Sequence, residues 1–454
     1  MLIRFTIENF LSFGKTTEFT AFATRELHHR ERTAVGPVPG LRILPIAALY
    51  GPNASGKTNL FKALQAVQFL VVQGTRVGEN IPVHTFRLDK ARQSQPSRFG
   101  VEFLAEGKLY LYQFAATSRE VIEESLTEIR AASEPLVFSR KAGVDGSLFE
   151  FGPAVGAADD KEKQFLEFVG KGTRSNQLFL HEALDHTLKQ FQPVVDWFRK
   201  TLLLINPRAA HDTLGLQLHE RDEFRQFCSS AIQSIGAGIE SLGTEVVTLE
   251  EAAFPDEVKE QLRAQVTDTE SALLRAPNGQ RYYAARIDGD IRVAKIVSFH
   301  TGSDGKPVRF EIPEESDGTQ RFIDLLPALH ELGAEGSKKV VFVDELDRSF
   351  HSGLTRTIIE SFFFEWEASS RAQLIFTTHD ATLIDQELFR RDELWLVDKN
   401  QAGETELKSL SDYQVRSDKR LMKDYLLGRF GAIPPGRMVR LRPLPKAHAE
   451  TVAK

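Results

Sequence analysis

Cysteine is nearly absent from this chain: Cys228 is the only one in 454 residues. A single thiol excludes an internal disulfide framework and a cysteine-ligated zinc site, and it fits a reducing cytoplasm. Long apolar runs are missing as well. No stretch approaches the roughly 18 apolar residues of a membrane-spanning helix. "MLIRFTIENFLSF" lacks the charged start and long apolar core of a signal peptide. A basic excess is also missing. The net charge of −6 argues against a surface coated in nucleic acid and leaves only a local basic groove open. No internal repeat or low-complexity tract is present. The remaining composition, 41% apolar and 26% charged, is that of a folded chain. Its length allows two or three domains, or one large domain carrying an insertion.

"LIRFTIENFLSFG" and "TTEFTAFA" read as a β-ribbon, and "RELHHRERTAVGPVPG" as a loop. "ILPIAALY" reads as a buried strand that runs into a glycine-rich turn and a helix. Two alternating runs around "AEGK" predict a hairpin. Between residues 159 and 276 the apolar spacing turns helical, as in "HTLKQFQPVVDWFRKTLLLI" and "ERDEFRQFCSSAIQSI". Gly and Pro interrupt it too often for a coiled coil, so a compact helical insertion is expected. Strand patterns return at "RYYAARID", "VAKIVSFHT" and "VRFEI", and helix then alternates with strand. That order predicts an α/β core. The expected parts are residues 1–158, the insertion 159–276, residues 277–430, and a basic tail at 431–454.

The strongest chemical signal is "GPNASGKT", Gly51 to Thr58. Its spacing fits a phosphate-binding loop between a strand and a helix. Gly51 and Gly56 leave clearance for backbone N–H groups to wrap an anion, and the helix start adds its positive end. Lys57 is placed to reach the β- and γ-phosphates, and the Thr58 hydroxyl to hold Mg²⁺. "VVFVDELD" is an apolar strand that delivers Asp344 and Glu345 to its carboxyl end, the edge where open α/β sheets bind ligands. Asp344 suits a Mg²⁺ shell and Glu345 the activation of water. Taken alone such a strand is commonplace; behind a phosphate loop it gains meaning. "LIFTTHD" ends a third apolar strand at His379, which is placed to donate to a γ-phosphate. Asp347 is expected in a loop at a subunit contact.

"EESDGTQRF" opens an amphipathic helix, with Gly318 standing 26 residues ahead of Asp344. Ser316 or Asp317 reads as its N-cap, and Pro327 inside it removes one backbone hydrogen bond. Together these motifs resemble the ATP-binding cassette class of ATPases, in its SMC, Rad50 and RecF-like branch. That branch also has "IENFLSF"-like sequence near its start and an Asn-bearing loop such as "GPNASGKTNL". The resemblance implies an ATPase head: a mixed central sheet and an N-terminal β-subdomain, here carrying the insertion. It implies ATP and Mg²⁺ as cofactors. Gly51, Asn53, Ser55, Gly56, Lys57, Thr58 and Asn59 would bind the nucleotide, with Thr58 and Asp344 at the metal and Glu345 and His379 catalytic. Ser316 and Gly318 would reach the γ-phosphate of a nucleotide held by another subunit, so at least a dimer is implied, and a higher ring is compatible. Asp317 departs from the pattern, since transporters have Gly there.

"ESDGTQRFIDLLPAL", "VFVDELDRSFH", "TTHDATLID" and "LWLVDKN" carry a narrower resemblance. It is to the ATP-binding proteins of bacterial abortive-infection systems, which include the ATPase partners of PARIS, Septu and some retrons. This implies an anti-phage switch that controls a separate effector such as a nuclease, with a phage-encoded trigger. The related nucleases with a fused Toprim domain need more chain after His379 than is present, and "RIDGDIRV", with Asp288 and Asp290, reads as a hairpin turn. Gln73, His84 and Arg87 are the candidates for a Q-loop equivalent, each read as structural. Two other classes stay open: a RecF-type DNA-binding ATPase, which would bind DNA with steep salt dependence, and a scaffold that holds ATP without turning it over.

Overall fold

A computed structural model describes residues 1–144, 146–156, 159–207, 214–252, 254–267, 271–276, 279–287, 289–367, 369–413 and 421–432. The α/β class expected from the sequence is the one adopted. At its centre lies a six-stranded sheet in the order Leu202–Ile205, Val340–Val343, Gln373–Thr378, Ile46–Tyr50, Leu394–Lys399, Thr405–Ser409. Its first five strands pair in parallel, and Thr405–Ser409 closes one edge as an antiparallel hairpin.

Ile46–Tyr50, Val340–Val343 and Gln373–Thr378 are buried along their whole length. That follows from a parallel sheet covered on both faces. Side-chain alternation divides each strand between two cores. Ala47, Leu49, Phe342, Ile375 and Val397 face the helix Lys57–Val72 and an antiparallel sheet. Ile46, Ala48, Val341, Val343 and Phe376 face the helices Asp317–Gly333 and Ser352–Glu365.

The antiparallel sheet has seven strands, from Gly146–Phe151 at one edge to Leu2–Glu8 and Thr17–Thr20 at the other. Its "AEGK" hairpin turns on Glu106 (φ 46°) and Gly107 (φ 78°). Two successive positive φ values match the twist of the strands they join. Trp197 stacks on Phe103 beneath this sheet at 4.4 Å between ring centroids.

The helical insertion expected over 159–276 contains three strands among its described residues. The helix starting at Gln192 gives way to a widened turn, Trp197–Thr201, and "LLLI" is then a strand, Leu202–Ile205. It pairs in parallel with Val340–Val343. A four-residue aliphatic run fits either state, and tertiary pairing decides. Further on, Ile239–Thr248 forms a strand of a third, antiparallel sheet with Asp290–Thr301, Arg281–Ile287 and Ala272–Arg275. The helices Leu214–Glu220 and Asp222–Ser234 pack on it, and Phe322, Ile323 and Leu326 of the Asp317–Gly333 helix join the same core. Arg281–Ile287 and Asp290–Thr301 form the expected hairpin; Asp288 lies outside the described residues, as does the basic tail from residue 433.

Glu393 is a buried carboxyl beside the central sheet. Its Oε2 accepts from Arg390 N at 2.8 Å, and its Oε1 has no hydrogen-bond partner among the described residues. Burial pushes its pKa up from 4.5 to about 8. The folded protein therefore holds a proton that the unfolded chain releases at lower pH. The stabilising contribution is full below the unfolded pKa and is lost as pH rises towards the folded one. Glu393→Gln should flatten the decline of melting temperature between about pH 5 and pH 8. A thermal scan that finds the same slope in both proteins excludes Glu393 as its source.

Candidate functional site

Val340–Val343, Gln373–Thr378 and Ile46–Tyr50 are adjacent and parallel, so their carboxyl ends share one edge of the sheet. Each of the three predicted motifs begins there, and the fold brings them together.

The loop after Tyr50 turns through Ala54 (φ 66°) and Gly56 (φ 118°) before the helix Lys57–Val72 starts. A Cβ on Gly56 would clash with Thr405 Oγ1, and one on Gly51 with Val397 O. Lys57 Nζ donates to Gly51 O at 2.6 Å and to Pro52 O at 3.2 Å. Burial lowers its pKa from 10.5 to about 8, against the opposing pull of Asp344, Asp347 and Glu345. Asn53 is exposed at the loop tip, Ser55 is buried with its Oγ unpartnered, and Thr58 is half-buried.

Asn59 serves the loop from outside. Its Nδ2 donates to Ser12 Oγ at 2.7 Å. Thr405 Oγ1 lies 2.8 Å from Ser12 Oγ and 2.7 Å from Ser55 O. A carbonyl only accepts, so the single Thr405 proton goes to Ser55 O and the Ser12 hydroxyl donates to Thr405. The result is one directed chain from Asn59 through Ser12 and Thr405 to the loop. Neither Ser12 nor Thr405 was singled out from the sequence. Thr405→Val should leave Ser55 O and the Ser12 proton unpaired, costing about 1–3 kcal/mol. Urea titration would measure that loss, and nucleotide titration should show weaker binding. Unchanged values in both would mean that the chain does not hold the loop.

The acidic strand is organised by its neighbour. Asp344 is fully buried. Its Oδ1 accepts from Thr377 Oγ1 at 2.7 Å, and its Oδ2 has no hydrogen-bond partner among the described residues. Glu345 adopts φ 54°, and its N–H donates to the same Thr377 Oγ1 at 2.7 Å. The Glu345 side chain is 36% exposed, with Arg348 at 3.9 Å. Asp347 Oδ2 accepts from His379 N at 3.1 Å, which ties the acidic loop to the His379 loop within one chain. Burial and the nearby Lys57 charge lower the His379 pKa. That shift favours the neutral imidazole, which has one donor and one acceptor.

Ser316 caps the helix Asp317–Gly333. Its Oγ accepts from Thr319 N at 3.1 Å. Ser316 and Asp317 are exposed. Asp317 occupies the first helical position, where an acid suits the positive helix end, so its charge points outward. A Cβ on Gly318 would lie 2.6 Å from Ser349 O. Gly318 is thus small because the loop after Glu345 presses on it, a reason invisible in local sequence. Gln73 is exposed at the far end of the helix begun by Lys57, roughly 24 Å along its axis. His84 and Arg87 are exposed and line a polar cleft of about 410 Å³. His84 joins the site only through its carbonyl, which accepts from Leu11 N at 2.7 Å.

A cradle that side chains would fill, a buried lysine, and a buried carboxylate oxygen without a partner together fit a Mg²⁺-bound nucleoside triphosphate. Residues 46–385 match the family described as "AAA domain, putative AbiEii toxin, Type IV TA system". The chain belongs to that family. It is an ATPase of the AAA_21 type, and the matched span runs from the first strand of the site past His379. Ser12 and Thr405, which close on the phosphate loop, lie outside that span. Among solved structures the chain is similar to the SMC head domain from Thermotoga maritima, at 12% identity and a TM-score of 0.36, covering 90% of this chain and 98% of that one. No curated protein matches this AAA_21 chain. No helix among its described residues is long and apolar enough to cross a membrane.

Proposed function

We propose that this protein hydrolyses ATP as the switch of an abortive-infection defence system, acting in the cytoplasm on a separate toxic effector. The observation that carries the reading is the convergence of Lys57, Asp344, Glu345 and His379 on the ends of three adjacent strands. Thr58 and Asp344 Oδ2 would hold Mg²⁺, which supplies charge neutralisation at the phosphates. Lys57 would balance the β- and γ-phosphates, and the loop N–H groups around Gly51, Asn53, Ser55 and Gly56 would bind their oxygens. Glu345 would take the proton of the attacking water. His379 would hydrogen-bond the γ-phosphate oxygen and, through Asp347, report its presence to the loop that touches Gly318.

The exposed Ser316 cap supports pairing, because a helix start that faces solvent can receive an anion held by a second copy. Two copies would each complete the other's site, and differential affinity for the γ-phosphate would then shift the paired population. The 159–276 segment, whose helices reach the Asp317–Gly333 helix through a shared core, would sense the trigger or dock the effector. The test is to isolate Glu345→Gln protein with Mg²⁺-ATP from its native host and identify what accompanies it. A stoichiometric nuclease or other effector protein supports the reading. ATP-dependent DNA retention in its place would favour a DNA-clamping ATPase.

A further inference from the structure

We infer that Thr377 is a positioning residue for hydrolysis, selecting which oxygen of Asp344 faces the metal and fixing the backbone of Glu345. The inference rests on the ATPase reading above and adds to it a residue that neither the phosphate loop nor the acidic strand contains.

The Thr377 hydroxyl has one proton, and Asp344 Oδ1 takes it at 2.7 Å. Thr377 Oγ1 in turn accepts Glu345 N–H at 2.7 Å, and the Thr377 carbonyl accepts Leu346 N–H at 3.0 Å. Three successive residues of the acidic loop are therefore held by one residue of the next strand. Two consequences follow. First, Oδ1 is engaged and Oδ2 is the buried oxygen without a hydrogen-bond partner among the described residues; the Thr377 bond turns the carboxylate so that Oδ2 is the oxygen with both lone pairs open to a cation. Second, Glu345 sits at φ 54°, a left-handed conformation that non-glycine residues rarely adopt. Its N–H is directed into the sheet, so the side chain projects from the edge where a water would be activated. Thr377 is completely buried, and its hydroxyl has no access to a phosphate except through these two acids.

Partners that orient a metal ligand from behind typically change metal affinity or activity by about 10–100-fold when removed. Thr377→Val keeps the shape and deletes the hydroxyl. In the full-length protein held with a non-hydrolysable ATP analogue, Mn²⁺ affinity read by electron paramagnetic resonance should fall about 10–100-fold. The steady-state kcat at saturating Mg²⁺-ATP should fall by a similar factor. Thr377→Ser should restore both values to within about threefold. Thr355→Val, which removes another buried hydroxyl, should change neither. Wild-type Mn²⁺ affinity and kcat in a folded Thr377→Val protein would overturn the inference, as would a Ser variant no better than Val. If Val prevents folding, Thr377→Cys, a weaker donor of similar size, is read against the same two outcomes. Failure of the ATPase reading is distinct: wild type would bind no analogue, and Asp344→Asn would leave Mn²⁺ binding unchanged.

Discussion

Glu345→Gln should bind ATP as the wild type does and hydrolyse it about 10²–10⁴-fold more slowly, the range expected when a general base is removed. The amide preserves the volume of the side chain and the backbone bond to Thr377 Oγ1, so the left-handed turn survives. What disappears is the carboxylate proposed to take the proton from water. Because the γ-phosphate then persists, the associated form should accumulate on size exclusion in the presence of Mg²⁺-ATP. Hydrolysis at the wild-type rate would show that another group is the base. His379 would be the next residue to test, since its neutral imidazole can accept a proton.

The second large effect concerns Ser316→Arg. Ser316 is exposed and contributes a helix cap, whose loss costs about 1 kcal/mol. The variant should therefore fold and bind ATP through Lys57. Its turnover should fall below detection, because the bulky cation blocks approach of a second copy's nucleotide. Mixing with Lys57→Ala chains separates a site shared between copies from a site within one chain. Each variant alone should be inactive. A random mixture should regain roughly a quarter of wild-type turnover, since half the pairs carry one intact composite site of two. Normal turnover by Ser316→Arg alone, or no recovery on mixing, would remove the shared site. Gly318→Ala could not make this distinction, because Gly318 also contacts Ser349 O within its own chain.

Local pattern identified the parts of this protein whose chemistry is local. "GPNASGKT" demands a strand before it and a helix after it, and both are there. The apolar "VVFV" and "LIF" runs read as buried strands, and their ends carry Asp344, Glu345 and His379 to a common edge. Helical periodicity was a poorer guide. It extended a helix through Leu202–Ile205, where pairing with Val340–Val343 imposes a strand. It also missed Ile239–Thr248, whose strand state depends on Asp290–Thr301 lying alongside.

By itself, then, the sequence determined the α/β class from its alternating order, and the phosphate loop, the acidic strand and a helix cap at Ser316 or Asp317 from runs of about a dozen residues; the structure made Ser316 the cap. Tertiary structure alone decided what holds those pieces in register. Ser12 and Thr405 meet across 393 residues and Thr377 reaches Asp344 across 33. Gly318 needs its missing side chain only because Ser349 presses on it. Hydroxyl contacts of this kind leave no periodicity, since one Ser or Thr in a strand or turn looks like any other. They acquire direction only when the fold places a single proton between two acceptors.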